Sequence, residues 1–180
     1  MKPRSILKFC TLLPLLCAGL LPAAEAPATF KVNELAFTRP ASWEWMEVTS
    51  QMRKAQLKVT DAKTKGSAEV LFFHFGPGDG GGTQANVDRW FGQFAEPREK
   101  INAKTEEVTV GKHKVTYVQA EGTYRSGMPG GPTTPMPNSA LTGAIIEAEG
   151  GNVFVRMTGP KELVQASLAD FKKMIESGLK

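Results

Sequence analysis

Cysteine is almost missing from this 180-residue sequence: Cys10 and Cys17 are the only two, and both lie near the N-terminus. Beyond residue 17 the chain cannot form a disulfide, a thiolate nucleophile or a cysteine-based zinc site. Cys17 follows Leu15 and Leu16, whereas a lipoprotein signal has a small residue directly before its cysteine. Lipid anchoring is therefore not expected.

Histidine is equally scarce, with His74 and His113 as its only two examples. His74 lies in an apolar stretch that predicts a buried, hydrogen-bonded imidazole, and His113 lies beside a turn that predicts exposure. No serine occupies the G-x-S-x-G pattern of a nucleophile elbow. We therefore expect no catalytic residue and no cofactor.

The first 26 residues have the pattern of a secretory signal peptide. A basic start precedes an apolar run from Phe9 to Leu21, which is shorter than the roughly 20 residues of a membrane-spanning helix. Small residues then predict cleavage after Ala26, or slightly earlier because of Pro27; an uncleaved membrane anchor is the alternative. We expect residues 1–26 to be a signal peptide and residues 27–180 a single domain without a transmembrane segment. The protein would be exported to the periplasm or the extracellular space.

The charge of the chain is close to balanced. The full sequence has 22 basic and 18 acidic residues and a formal net charge of +4, and removal of the leader with Glu25 reduces it to +2. Nucleic-acid binding needs a concentrated basic face. We therefore expect no nucleic-acid partner.

The stretch from Phe72 to Phe94 predicts a strand, a glycine loop and a helix. Phe72, Phe73 and Phe75 indicate a strand that is buried on both faces, and five glycines follow between Gly76 and Gly82. The helix begins near Thr83, and its apolar stripe is predicted to lie on a sheet. That stripe consists of Val87, Trp90, Phe91 and Phe94.

The remainder of the chain predicts antiparallel hairpins and a final helix. The predicted strands are Leu35–Phe37, Trp43–Val48, Met52–Thr60, Ala68–Phe75, Glu107–Val110, His113–Gly122, Leu141–Ala148 and Val153–Thr158. The last helix, after Pro160, carries a buried stripe of Val164, Leu168, Phe171 and Ile175.

Three segments predict no regular structure. Pro27–Asn33 is expected to be a tether, and Arg98–Glu106 a charged, solvated connection. Thr123–Ala140, rich in proline and glycine, predicts a long loop that is either functional or disordered. The sequence as a whole favours an α+β fold, with an antiparallel sheet and packed helices.

The order of elements resembles the PsbP-like fold. The narrower motifs are F-x-x-P-x-x-W at Phe37–Trp43, F-G-P-G-x-G-G and N-V-x-R-W-x-x-Q-F within Phe75–Phe94, and I-I-E followed by T-G-P within Ile145–Pro160. They are similar to a family of uncharacterised exported bacterial proteins with this fold. The resemblance implies a PsbP-like α/β/α sandwich and carries no activity.

The glycine loop permits two chemical interpretations besides a structural turn. A loop before a helix resembles a phosphate cradle, but the Gly-Lys-Ser/Thr ending of that motif is missing. Calcium needs 6 to 8 oxygen ligands, and Asp79 is the only acid in the loop. We therefore expect a structural turn and no metal site.

Two pairs of residues are candidates for ligand or partner binding. Asn86 and Arg89 form a polar stripe with Gln93 along the first helix. They are expected either to face solvent, to hold the glycine loop or the Thr123–Ala140 loop, or to bind an acidic ligand. Tyr124 and Arg125 begin the long loop, which also has Met128 and Met136 and thus the composition of an interaction surface.

The sequence favours an exported, non-enzymatic binding or assembly module. Its partner would be an envelope protein or a small ligand. The alternative is an envelope hydrolase that uses His74 or an acidic residue near the glycine loop. A purely structural envelope component is a third possibility.

Overall fold

The structure is a computed structural model that describes residues 26–127 and 131–180. The predicted signal peptide, apart from Ala26, and Met128 lie outside these residues. The strands are β1 (Thr29–Val32), β2 (Leu35–Thr38), β3 (Glu44–Met46), β4 (Arg53–Thr60), β5 (Ser67–His74), β6 (Lys104–Val110), β7 (His113–Gly127), β8 (Thr133–Ile146) and β9 (Val153–Pro160). The helices are α1 (Thr83–Phe91), α2 (Lys161–Ala166) and α3 (Leu168–Ser177), with a 3₁₀ turn at Arg98–Lys100.

Seven strands form one antiparallel sheet in the order β3-β4-β5-β9-β8-β7-β6, and β1 and β2 form a separate hairpin. On the first face, α2, α3 and the β1-β2 hairpin pack against strand residues such as Val70, Phe72 and Val155. On the second face, α1 packs against strand residues such as Val118 and Ile145. The predicted α+β architecture, an antiparallel sheet between helices on both faces, is confirmed.

The predicted tether at Pro27–Asn33 is wrong, because Thr29–Val32 is strand β1. Phe30 and Val32 are buried, and the ring of Phe30 meets that of Phe72 edge-on at 5.0 Å. A turn at Asn33, which has a positive φ of 54°, returns the chain into β2. The alternation of apolar residues across this turn is the signal of a hairpin.

The predicted loop at Thr123–Ala140 is also wrong, because β7 and β8 continue past the sheet as a two-stranded ribbon. Pairing of β8 with β9 begins at Ser139, so the ribbon part of β8 has only β7 beside it among the described residues. Because this part of β8 forms hydrogen bonds along one edge alone, it tolerates Pro135 and Pro137, which have no backbone N–H to donate. The pairing shifts between Gly122 and Tyr124, opposite Asn138, whose φ is 51°. This β-bulge bends the ribbon.

Smaller differences from the sequence-based predictions concern the burial of single residues and the bounds of two elements. Ile101 is fully buried in the segment predicted to be solvated, and β6 begins at Lys104 rather than Glu107. His113 is buried rather than exposed, and its Nδ1 lies 3.1 Å from the carbonyl oxygen of Glu147. Phe75 follows the end of β5 and is 41% exposed. The final helix is divided at Ser167 into α2 and α3.

Within the described residues no helix is both long and apolar enough to cross a membrane.

Helix α1 approaches the sheet closely because Gly143 on β8 has no side chain. A Cβ at this position would lie 2.3 Å from Cζ3 of Trp90, well inside van der Waals contact. The Trp90 ring therefore rests on the backbone of β8, and α1 is held in one position above β8.

We expect the variant Gly143→Ala to lower the free energy of unfolding by about 1 to 3 kcal/mol, because the added methyl group overpacks this contact. Chemical denaturation of the variant and the wild type measures the loss. The double variant Trp90→Leu/Gly143→Ala is expected to lose less than the sum of the two single changes, since the clash requires the indole ring. Additive losses would show that the contact does not limit the position of α1.

Candidate functional site

The glycine loop before α1 is held by the side chain of Asn86. Its Nδ2 donates to the carbonyl oxygens of Gly80 at 2.9 Å, Gly81 at 3.3 Å and Gly82 at 3.0 Å. Asn86 is only 3% exposed, so these hydrogen bonds are shielded from water. A Cβ at Gly80, whose φ is 80°, would lie 2.6 Å from the ring of Phe75. The loop is therefore a tightly packed structural turn.

Arg89 extends the same network at the surface. Its Nη2 donates to Oδ1 of Asn86 and lies 3.4 Å from the carbonyl oxygen of Gly80. Of the alternatives that the sequence left open for Asn86 and Arg89, contact with the glycine loop is the one that these hydrogen bonds support. Ligand binding by Arg89, which is exposed, stays a prediction.

Tyr124 and Arg125 fasten the ribbon to the C-terminal end of α1. The Arg125 backbone N–H donates to the carbonyl oxygen of Gln93 at 2.8 Å, and its guanidinium donates to the carbonyl oxygen of Phe94. The Tyr124 ring is buried and meets the Phe94 ring edge-on at 5.6 Å. The burial of Tyr124 raises the pKa of its hydroxyl group. The two predicted pairs thus contact segments beyond opposite ends of α1, and Tyr124 offers little surface to a ligand.

Glu96 adds a second fastening at the base of the ribbon. Its carboxylate oxygens accept the backbone N–H of Thr123 at 2.9 and 3.1 Å. Hydrogen bonds from Thr123 lower the pKa of Glu96 below its ordinary value, because they favour the charged form.

Gln93 connects α1 to an arginine that the sequence did not indicate. Its Oε1 accepts from the Tyr124 hydroxyl at 3.3 Å and from Nη1 of Arg156 at 2.7 Å. Arg156 lies on β9, between Leu71 of β5 and Gly143 of β8, on the sheet face that α1 covers. Its Nε is buried and has no hydrogen-bond partner among the described residues. Burial lowers the pKa of the Arg156 guanidinium.

Two further arginines lie near Arg156 and complete what we call the arginine cluster: Arg53, Arg89 and Arg156. Burial has the largest effect on the pKa of Arg156; the charges of Arg53 and Arg89 lower this pKa further, whereas Tyr124 and the Glu69 carboxylate raise it. Arg53 donates to Oε1 of Gln56 at 2.8 Å, and Gln56 donates to Glu69 at 3.4 Å. Within residues 26–127 and 131–180, none of the three arginines forms an ion pair within 4.0 Å.

The sequence missed Arg53 and Arg156 because the strand register alone brings them together. Arg53 on β4 lies opposite Phe73, and Arg156 on β9 lies opposite Leu71, so the two arginines come from strands that pair with the two edges of β5 and are distant in the chain. The alternation of β9 does indicate that Arg156 faces away from Val155 and Met157. It does not indicate which residues surround it.

His74 and Asp79 do not form a reactive site. His74 is half-buried, and its Nδ1 lies 3.2 Å from the carbonyl oxygen of Asn152, so this nitrogen carries the proton. No serine or carboxylate is hydrogen-bonded to His74 in the part of the chain that the structure describes. Across the same part, no group of three or more His, Cys, Asp or Glu side chains is arranged to hold a metal ion.

The geometry defines an α+β protein with a partly buried arginine cluster on one face of its sheet. No protein-family model and no curated protein matches the chain. Among solved structures, the chain is similar to the solution structure of cyanobacterial PsbP (CyanoP) from Synechocystis, with 13% sequence identity and a TM-score of 0.46. The match covers 89% of this chain and 96% of that chain. The similarity concerns the fold alone.

We expect Asn86→Ala to lower the free energy of unfolding by about 1 to 3 kcal/mol, because the loop carbonyls lose a buried donor. Gln84 on the same helix donates only to Asp88 at the surface. Gln84→Ala is therefore the matched control, with an expected change within about 0.5 kcal/mol. Equal losses in the two variants, measured by chemical denaturation, would contradict a structural role for Asn86.

Proposed function

We propose that the protein is a non-enzymatic binding or assembly module, whose arginine cluster holds an acidic group of its ligand or partner. The observation that carries this proposal is Arg156, a guanidinium whose Nε is buried and unpartnered and which has no carboxylate within 4.0 Å among the described residues.

A buried cation with no carboxylate in contact is unfavourable, since burial removes water without supplying a full replacement, and the nearby Glu69 charge offsets this loss only in part. A carboxylate or phosphate compensates this loss, because two parallel N–H groups of a guanidinium bind two oxygens at once. Gln93 holds Nη1 of Arg156 and Nε is shielded from solvent, so an oxygen of the ligand reaches the guanidinium through Nη2. The charges of Arg53 and Arg89 add to the attraction.

Five cations outside the cluster are paired: Lys58, Arg98, Lys114, Lys161 and Lys172 each lie within 4.0 Å of a carboxylate. The arginine cluster differs from these five, because its three arginines form no such pair among the described residues and lie near one another on one face of the sheet. Such a local concentration of positive charge is suited to recognising an anion.

The envelope hydrolase has no observation in its favour. It would require His74 in contact with a serine or carboxylate, and the contact found for its Nδ1 is the carbonyl oxygen of Asn152. We therefore retain binding as the proposed function.

Titration of the purified, ¹⁵N-labelled protein with tetraglutamate tests the binding proposal. We expect the Nε–H resonance of Arg156 to shift, and the affinity to fall with added salt. Arg156→Gln and Arg89→Ala should each weaken binding by about 10-fold or more, as for the loss of a charge-assisted hydrogen bond.

Arg98→Gln is the control for this titration, because Arg98 is paired with Asp88 at 3.1 Å and lies outside the cluster. Its affinity for tetraglutamate should match that of the wild type. Arg89→Ala remains informative if Arg156→Gln fails to fold, since Arg89 is exposed. If Arg89→Ala has a lower melting temperature but binds tetraglutamate as well as the wild type, Arg89 stabilises the fold and does not contact the ligand. Equal binding by all variants, or none by the wild type, would overturn the proposal.

We also propose that the protein acts outside the cytoplasm, on the basis of the leader in residues 1–26. Expression of the full chain in a bacterial host should give an exported form, whose N-terminus lies near Glu25–Pro27 by mass spectrometry. Replacing Leu15 and Leu16 with lysine should block export, because it breaks the apolar run. Export of this variant, or an intact leader on the exported wild type, would contradict the proposal.

A further inference from the structure

An exposed aromatic surface adjoins the arginine cluster. Phe75 is 41% exposed and stacks on Phe73 with ring centroids 6.4 Å apart and an interplanar angle of 14°. Its ring also lies 6.1 Å from that of Phe154. Met52, which is 59% exposed, directly precedes Arg53. Exposed large apolar side chains beside unpaired cations are typical of a binding surface.

The arginines and the exposed Phe75 ring both lie along β5 and the strands that pair with it. Arg156 pairs with Leu71 and Arg53 with Phe73, so the arginines flank β5 while Phe75 lies just beyond its end. Leu71 and Phe75 are separated by four residues, or about 13 Å at the rise of an extended strand. A ligand that follows β5 from Arg156 to Phe75 is therefore elongated. About four extended residues of a protein segment span the required distance.

We infer that the occupant of this surface is an acidic segment of a partner protein that also carries an apolar side chain. Its carboxylates contact Arg156 and Arg89, and its apolar side chain packs on Phe75. This inference rests on the proposed function, which it deepens by naming the class of partner. Charge complementarity selects an acidic segment, and the exposed ring beside the cations requires an apolar group in the same segment.

The test compares three synthetic peptides by titration into the purified protein: tetraglutamate, two glutamates followed by two phenylalanines, and the reverse of that sequence. We expect one of the mixed peptides to bind about tenfold more tightly than tetraglutamate, because it buries a phenyl ring on Phe75. Phe75→Ser should remove this gain and leave the affinity for tetraglutamate unchanged. Phe75→Leu, which keeps an apolar surface, should retain part of it.

Met136→Ser provides the matched control, since Met136 is 47% exposed but lies on the ribbon strand β8, which carries none of the three arginines. Its affinities should equal those of the wild type. Tetraglutamate binding without any gain from phenylalanine would overturn this inference and leave the proposed function intact. If no peptide binds, both fail. Binding to phosphatidylglycerol vesicles that depends on Phe75, in the absence of peptide binding, would replace the protein segment with a membrane surface.

Discussion

The contact between Trp90 and the backbone of Gly143 determines how the second face of the sheet is used. Because Gly143 has no side chain, α1 lies directly over β8 and buries residues of β7, β8 and β9. The strands β4 and β5 lie on the far side of β9 and carry no helix on this face. One close contact thus divides the face into a covered half and an open half.

The open half is covered by long polar side chains instead of a helix. Leu71 is only 3% exposed although it lies in this half, between Gln56 on β4 and Arg156 on β9. The aliphatic parts of such side chains shield an apolar floor while their polar ends reach the surface. Arg156 therefore has two roles: its stem completes the packing of the sheet, and its guanidinium contributes to the proposed site. The same geometry explains why its Nε is buried.

The sequence predicted those parts of the fold that depend on local patterns. The stripe on α1, the glycine turn and the hairpins follow from periodicity and turn residues, and the α+β architecture follows from their order. The ribbon was missed because Pro135 and Pro137 argue against a strand unless the strand has a free edge, and a free edge is a property of the whole sheet. Strand β1 was missed because four residues give too short a pattern. His113 and Phe75 were misjudged because burial depends on neighbours far away in the chain.

The candidate site shows the same difference between features that follow from local sequence patterns and features that depend on distant parts of the chain. Asn86 and Arg125, chosen for their chemistry, fix the two ends of α1 through backbone carbonyl groups. Arg156 was not chosen, yet it shares the acceptor Oε1 of Gln93 with Tyr124 at the base of the ribbon. The arginine cluster and the ribbon are therefore linked through one amide side chain, a connection between strands β7 and β9 that neither strand's own pattern indicates.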